Sequence, residues 1–168
     1  MLLRLSGAAL VALSLTAAGY KQADKLRQRV LISRSVAELL MRCNFLIRSS
    51  MPTVYELCSD LKKQQFSDAL TFICYLPEEY SPDKCFSEQW IAAICGKTEL
   101  PDEEKELLIR LGSHLGQSDA EGQLSLLSSM LEEAETLSSV RQTEYRERGK
   151  LCRSVWTLAG LMAAVLMI

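Results

Sequence analysis

Two nearly uncharged ends frame this chain, and no other feature narrows its architecture as much. Residues 2–20 read LLRLSGAALVALSLTAAGY with Arg4 as the single charge, and residues 155–168 read VWTLAGLMAAVLMI with none. As a helix the first stretch reaches about 28 Å, close to the roughly 30 Å hydrocarbon core of a bilayer. The second covers only about 21 Å. Leu151 and Cys152 extend its apolar face, and Lys150 and Arg153 can snorkel to the lipid surface. The expected organisation is an N-terminal transmembrane helix over residues 1–20, a helical domain over 21–150 and a C-terminal transmembrane helix over 151–168.

Each end has a competing reading. Arg4 and the small residues Ala17, Ala18 and Gly19 resemble the charged start and the cleavage region of a signal peptide. Against cleavage, helical pattern runs without a break into KQADKLRQRVLISRSVAELLMRC, and most positive charge follows the apolar run instead of preceding it. For the C-terminal stretch the plainer alternative is a core helix of the domain. Lys21, Lys25, Arg27 and Arg29 flank the first segment, and Arg141, Arg146, Arg148, Lys150 and Arg153 flank the second, with nothing basic after Val155. Both flanks place the middle domain on the cytoplasmic side.

The middle reads as helix almost throughout, without strand-like alternation or a hairpin signal. The first helix is expected to run to about Arg48 with Val36, Leu39, Leu40, Cys43, Leu46 and Ile47 on its apolar stripe, ending at Ser49, Ser50 and Pro52. Pro52 suits the first turn of the second helix. Thr53 and Glu56 have the spacing of a capping box, and Val54, Leu57, Cys58 and Leu61 follow. A third helix is expected from near Phe66 and a fourth from Ser81-Pro82-Asp83 to Gly96. Pro101-Asp102-Glu103-Glu104 starts a fifth, with Leu107, Leu108 and Leu111, and Ser118 with Glu121 caps a long sixth that runs into the C-terminal segment. The expected fold is all-α, a bundle of about six helices with membrane-anchoring helices at both ends.

Composition excludes some classes. The net charge of −2 leaves no basic footprint for nucleic acid. Six cysteines occur, none in a C-x-x-C pair, so a zinc site is not indicated. They are expected to be reduced, buried small hydrophobes, the alternative being a disulfide framework in a secreted helical protein released by signal cleavage. His114 is the only histidine and has no ligand or nucleophile at working spacing. A hydrolase built on it or on a cysteine lacks further support. Phosphate-cradling glycine motifs are absent, so neither an enzyme, a cofactor, a metal nor a small-molecule substrate is expected.

These parts together resemble the stage III sporulation protein AB family over nearly the whole chain. The residues that carry the resemblance are the N-terminal anchor with its basic helix, the Ser-x-Pro turn in SSMPTVYEL, the run LGSHLGQSDAEGQ from Leu111 to Gln123, and the tail GKLCRSVWTLAGLMAAVLMI. Departures are Trp156 in place of a small residue, Cys152 in place of an aromatic, and Ser-Met-Pro at the turn. The resemblance implies a domain similar to that of the type II secretion inner-membrane platform protein. It also implies a place in the channel joining mother cell and forespore, in the mother-cell membrane around the forespore. The cytosolic ATPase stage III sporulation protein AA and other stage III channel proteins are the implied partners. Pro52, Gly112, Gly116, Ser118, Asp119 and Gln123 are the family-motif residues and the candidate partner contacts, with helix capping as their simpler role.

Overall fold

The computed structural model describes residues 2–64, 66, 68–97, 100–117 and 120–167. Five α-helices and one 3-10 segment follow each other: α1 (Leu2–Ser50), α2 (Val54–Lys63), the 3-10 segment Asp68–Tyr75, α3 (Phe86–Lys97), α4 (Asp102–His114) and α5 (Ala120–Met167). Among the described residues there is no strand, in keeping with the all-α expectation. The chain divides into two compact units, residues 1–30 with 139–168 and residues 31–138.

The second unit holds the core. On α1 the stripe is the one the sequence spells: Val36, Leu39, Leu40, Cys43, Leu46 and Ile47 are buried, at the three-and-four spacing that keeps one helical face inward. Leu57, Cys58 and Leu61 of α2, Leu107, Leu108 and Leu111 of α4, and Leu127, Met130 and Ala134 of α5 join the same cluster. Edge-on aromatic contacts tie α2 to α3. Tyr55 meets Tyr80 at 6.1 Å and Phe86 at 5.7 Å, and Trp90 meets Phe72 at 6.1 Å. Such pairs add about 0.5–1.5 kcal/mol each beyond the area they bury.

Three expected elements differ. The third helix is a short 3-10 piece, kinked at Leu70 (φ −111°, ψ 53°). Leu70, Phe72 and Ile73 of this segment, and Leu76 just after it, are buried. Ser81-Pro82-Asp83 does not open α3. It forms a turn in which the Lys84 amide donates to the Ser81 carbonyl at 3.4 Å, and the Gln89 amide bonds to the Cys85 carbonyl, so the helix begins at Phe86. Gly96 does not end α3 but lies inside its last turn. Pro52 stands one residue outside α2, whose N-cap is Thr53. The expected cap at Ser118 falls outside the described residues.

The first unit contains the outer lengths of the two long helices. α1 leaves it at Val30 and α5 enters it at Ser139, so the two run antiparallel. Gly19 is buried here, and a Cβ on it would lie 2.6 Å from the Trp156 Cβ. Among the described residues no helix is long and apolar enough to cross a membrane. Nearly all side chains of residues 2–13 and 163–168 fall outside the description.

One buried polar contact was hidden from the sequence reading. Glu104, in the first turn of α4, is fully buried and accepts a hydrogen bond from the Ser33 hydroxyl of α1. Losing the serine hydroxyl removes one donor from a buried acid. Ser33→Ala is therefore expected to lower unfolding stability by about 1–3 kcal/mol, measured by urea denaturation followed by circular dichroism.

Candidate functional site

The site is built from two chain reversals. At the first, the Ser49 and Ser50 hydroxyls donate back to the Leu46 carbonyl at 3.3 and 3.0 Å. The Met51 amide closes on Ile47 at 3.2 Å, and Met51 itself takes a left-handed φ of 46°, which halts α1. Half-buried Pro52 then leads into Thr53. The expected capping box forms in full. The Glu56 amide donates to Thr53 Oγ1 at 3.3 Å, and Glu56 Oε2 accepts from the Thr53 amide at 2.8 Å and from its hydroxyl at 2.9 Å. These Thr53 donors, the backbone amide first, hold the Glu56 carboxyl below its usual value.

At the second reversal, the Leu115 amide bonds to the Leu111 carbonyl at 3.0 Å, and Gly116 follows at φ +78°. This is the left-handed stop that glycine accepts without penalty. Gly112 serves another purpose. It is buried beneath Trp90, and a Cβ there would stand 2.0 Å from Trp90 Cδ1. The indole N–H donates to the Leu108 carbonyl at 2.8 Å, one turn before Gly112.

The structure brings the two reversals together. A Cβ on Gly116 would lie 2.9 Å from Val54 Cγ1, so the end of α4 rests on the start of α2. Beside this junction an open groove of about 360 Å³ is lined by Ser50, Pro52, Glu56, Ser59, Asp60 and Lys63. Lys63 and Asp60 form an ion pair at 2.9 Å in it. Of the motif residues, Gly116 therefore rests on Val54 and Pro52 lines the groove, whereas Gly112 belongs to the core. Gln123 is half-buried in the first turn of α5, and Ser118 and Asp119 lie outside the described residues. The sequence reading missed Ser59, Asp60 and Lys63, whose grouping arises only when α2 packs.

Among the described residues no group of three or more histidine, cysteine and acidic side chains is placed to hold a metal. His114 is exposed at the end of α4. The five described cysteines are free thiols. Cys43 and Cys58 are buried as expected, and burial pushes each thiol up to about 12. Cys74, Cys85 and Cys95 are exposed, contrary to the expectation of buried cysteines, because each sits off the inward stripe of its segment. A hydrogen bond with Ser87 lowers the Cys85 thiol.

A family model described as stage III sporulation protein AB matches residues 4–168. No curated protein and no solved structure matches the chain.

Two outcomes follow from this geometry. Helix propensity favours alanine over glycine by about 1 kcal/mol, but a methyl inside the Trp90 ring space costs about 1–3 kcal/mol or more. Gly112→Ala is thus expected to lower stability despite its better propensity, and the loss should shrink in a Trp90→Phe background when both are compared by urea unfolding. In the folded protein at neutral pH, a maleimide should label Cys85 more slowly after Ser87→Ala, because the raised thiol gives less thiolate. Cys43 and Cys58 should label only at the rate of unfolding, read by peptide mass spectrometry.

Proposed function

The chain belongs to the stage III sporulation protein AB family and has a role in stage III of sporulation, and from that premise we propose that it is a non-enzymatic, membrane-held scaffold of the channel between mother cell and forespore. The observation that carries the reading is on α5. Leu151, Val155, Leu158 and Met162 recur at four, three and four residues, and all are 58–67% exposed. A stripe of large apolar side chains is expensive in water and is covered naturally by lipid. The apolar sequence of residues 2–20 supplies the second anchor in this reading.

The basic flanks then set the helical domain on the cytoplasmic side of the mother-cell membrane. Two anchors remove rotation that one would leave free. The Pro52 turn and the polar groove it lines are the face offered to a partner. That partner, on this reading, is the secretion-type ATPase stage III sporulation protein AA, with other stage III channel proteins at the membrane.

The reading is tested in sporulating cells. The chain should remain in the membrane pellet through alkaline carbonate, and its domain should resist protease added outside sealed, right-side-out vesicles; release or digestion sinks the anchored scaffold. Tagged protein should capture the ATPase, and Asp60→Arg in the groove should weaken capture by about tenfold or more with helical content unchanged. Equal capture by the variant would remove the groove from the contact.

A further inference from the structure

The unit formed by residues 1–30 and 139–168 carries more than its apolar ends. It holds ten lysines and arginines against three acids, net +7, whereas residues 31–138 hold nine against eighteen, net −9. The positive charge is not spread along this unit. Apart from Arg4, it begins where the apolar sequence stops, and Gly19 packs against Trp156 at that level. Tyr20, next to Gly19, is 60% exposed, and Trp156 is 37% exposed. Beyond Trp156 toward the chain end, Leu158 and Met162 stand exposed. On the opposite side, toward Val30 and Ser139, the exposed cations are Lys21, Lys25, Arg27, Arg29, Arg146 and Arg148. Asp24 and Glu147 are the exposed acids among them.

Apolar surface, then an aromatic pair, then cations is the order of a bilayer leaflet read from its core outward. Lys21 and Lys25 lie about 3 and 9 Å from Gly19 along α1, and Arg148 lies about 12 Å from Trp156 along α5. These offsets are comparable with the Debye length of about 8–10 Å, within which an anionic leaflet attracts a basic segment.

We propose that Tyr20, Trp156 and the cations Lys21, Lys25, Arg146 and Arg148 form an interfacial collar that binds anionic phospholipid headgroups. The collar rests on the membrane reading above and adds a lipid preference to it. Gly19 is what makes the collar one structure: without a side chain it lets the Trp156 ring sit level with Tyr20. The occupant is a charged lipid surface, because the cations follow the apolar stripe on both helices and a headgroup layer without net charge exerts no long-range pull on them.

The test offers full-length protein, diluted from detergent, a mixture of two differently labelled vesicle populations. One is phosphatidylcholine alone, and the other carries one-third phosphatidylglycerol. At low salt the protein should be enriched about tenfold or more on the anionic vesicles, and the enrichment should fall steeply at about 0.5 M salt. The combined variant Lys21→Gln, Lys25→Gln, Arg146→Gln, Arg148→Gln should distribute equally. Equal distribution of the unaltered protein at low salt overturns the collar and leaves the membrane reading standing. Absence from both populations overturns both. Enrichment that persists in the variant assigns the preference to other residues and also overturns the collar, and the salt series on the unaltered protein decides the matter if the variant fails to fold.

Discussion

The indole of Trp90 lying over Gly112 is the contact on which the helical domain turns. The ring fills the space a side chain would need on α4, and its N–H reaches the Leu108 carbonyl of the same helix. The other edge of the ring meets Phe72 and Phe86. One residue therefore sets the approach of α3 to α4, the position of the 3-10 segment and the start of α3. Close approach of this kind is unforgiving, since a packed interior transmits a displaced ring to all its neighbours.

That contact also explains why two glycines four residues apart are not equivalent. Gly112 is chosen for space and Gly116 for its backbone angle. With Gly112 buried, the surface part of the motif begins at the reversal after His114. There it meets Val54 and the Pro52 turn, elements separated by some sixty residues of sequence. Partner contact at this end of the domain would involve the groove walls on α2 more directly than the glycines themselves.

Much of the architecture was legible because its causes are local. The stripe from Val36 to Ile47, the Thr53–Glu56 box, the acidic start of α4 and the unbroken course of α5 follow from spacing, caps and the absence of proline after Pro101. What was not legible depends on other elements. Leu70, Ile73 and Leu76 also fit a helix, and only the packing of the segment against its neighbours shows the kinked 3-10 turn at Leu70. Ser81-Pro82-Asp83 has the composition of a helix start, yet the aromatic pairs of Tyr55 hold Tyr80 and Phe86 in place and the proline is used for a turn. Glu104 looked like one of three dipole-facing acids, and only the packing of α1 on α4 separates it from Asp102 and Glu103. Of the candidate site, Pro52 and Gly116 were found one by one, while the contact of Gly116 with Val54 and the groove lined by Pro52 had no local signal.

The segregation of charge bears on how one chain serves two surroundings. A net −2 conceals +7 on one unit and −9 on the other. Mixed evenly, these charges would pair along the helices and give neither unit a preference. If the basic unit lies at a membrane, as proposed, segregation draws it to an anionic surface and leaves the acidic unit to partners with basic faces. The arrangement needs no extra domain, because two helices of 49 and 48 residues each carry both characters along their length. Position along α1 and α5 would then decide what each stretch contacts, with the Gly19–Trp156 packing at the point of change.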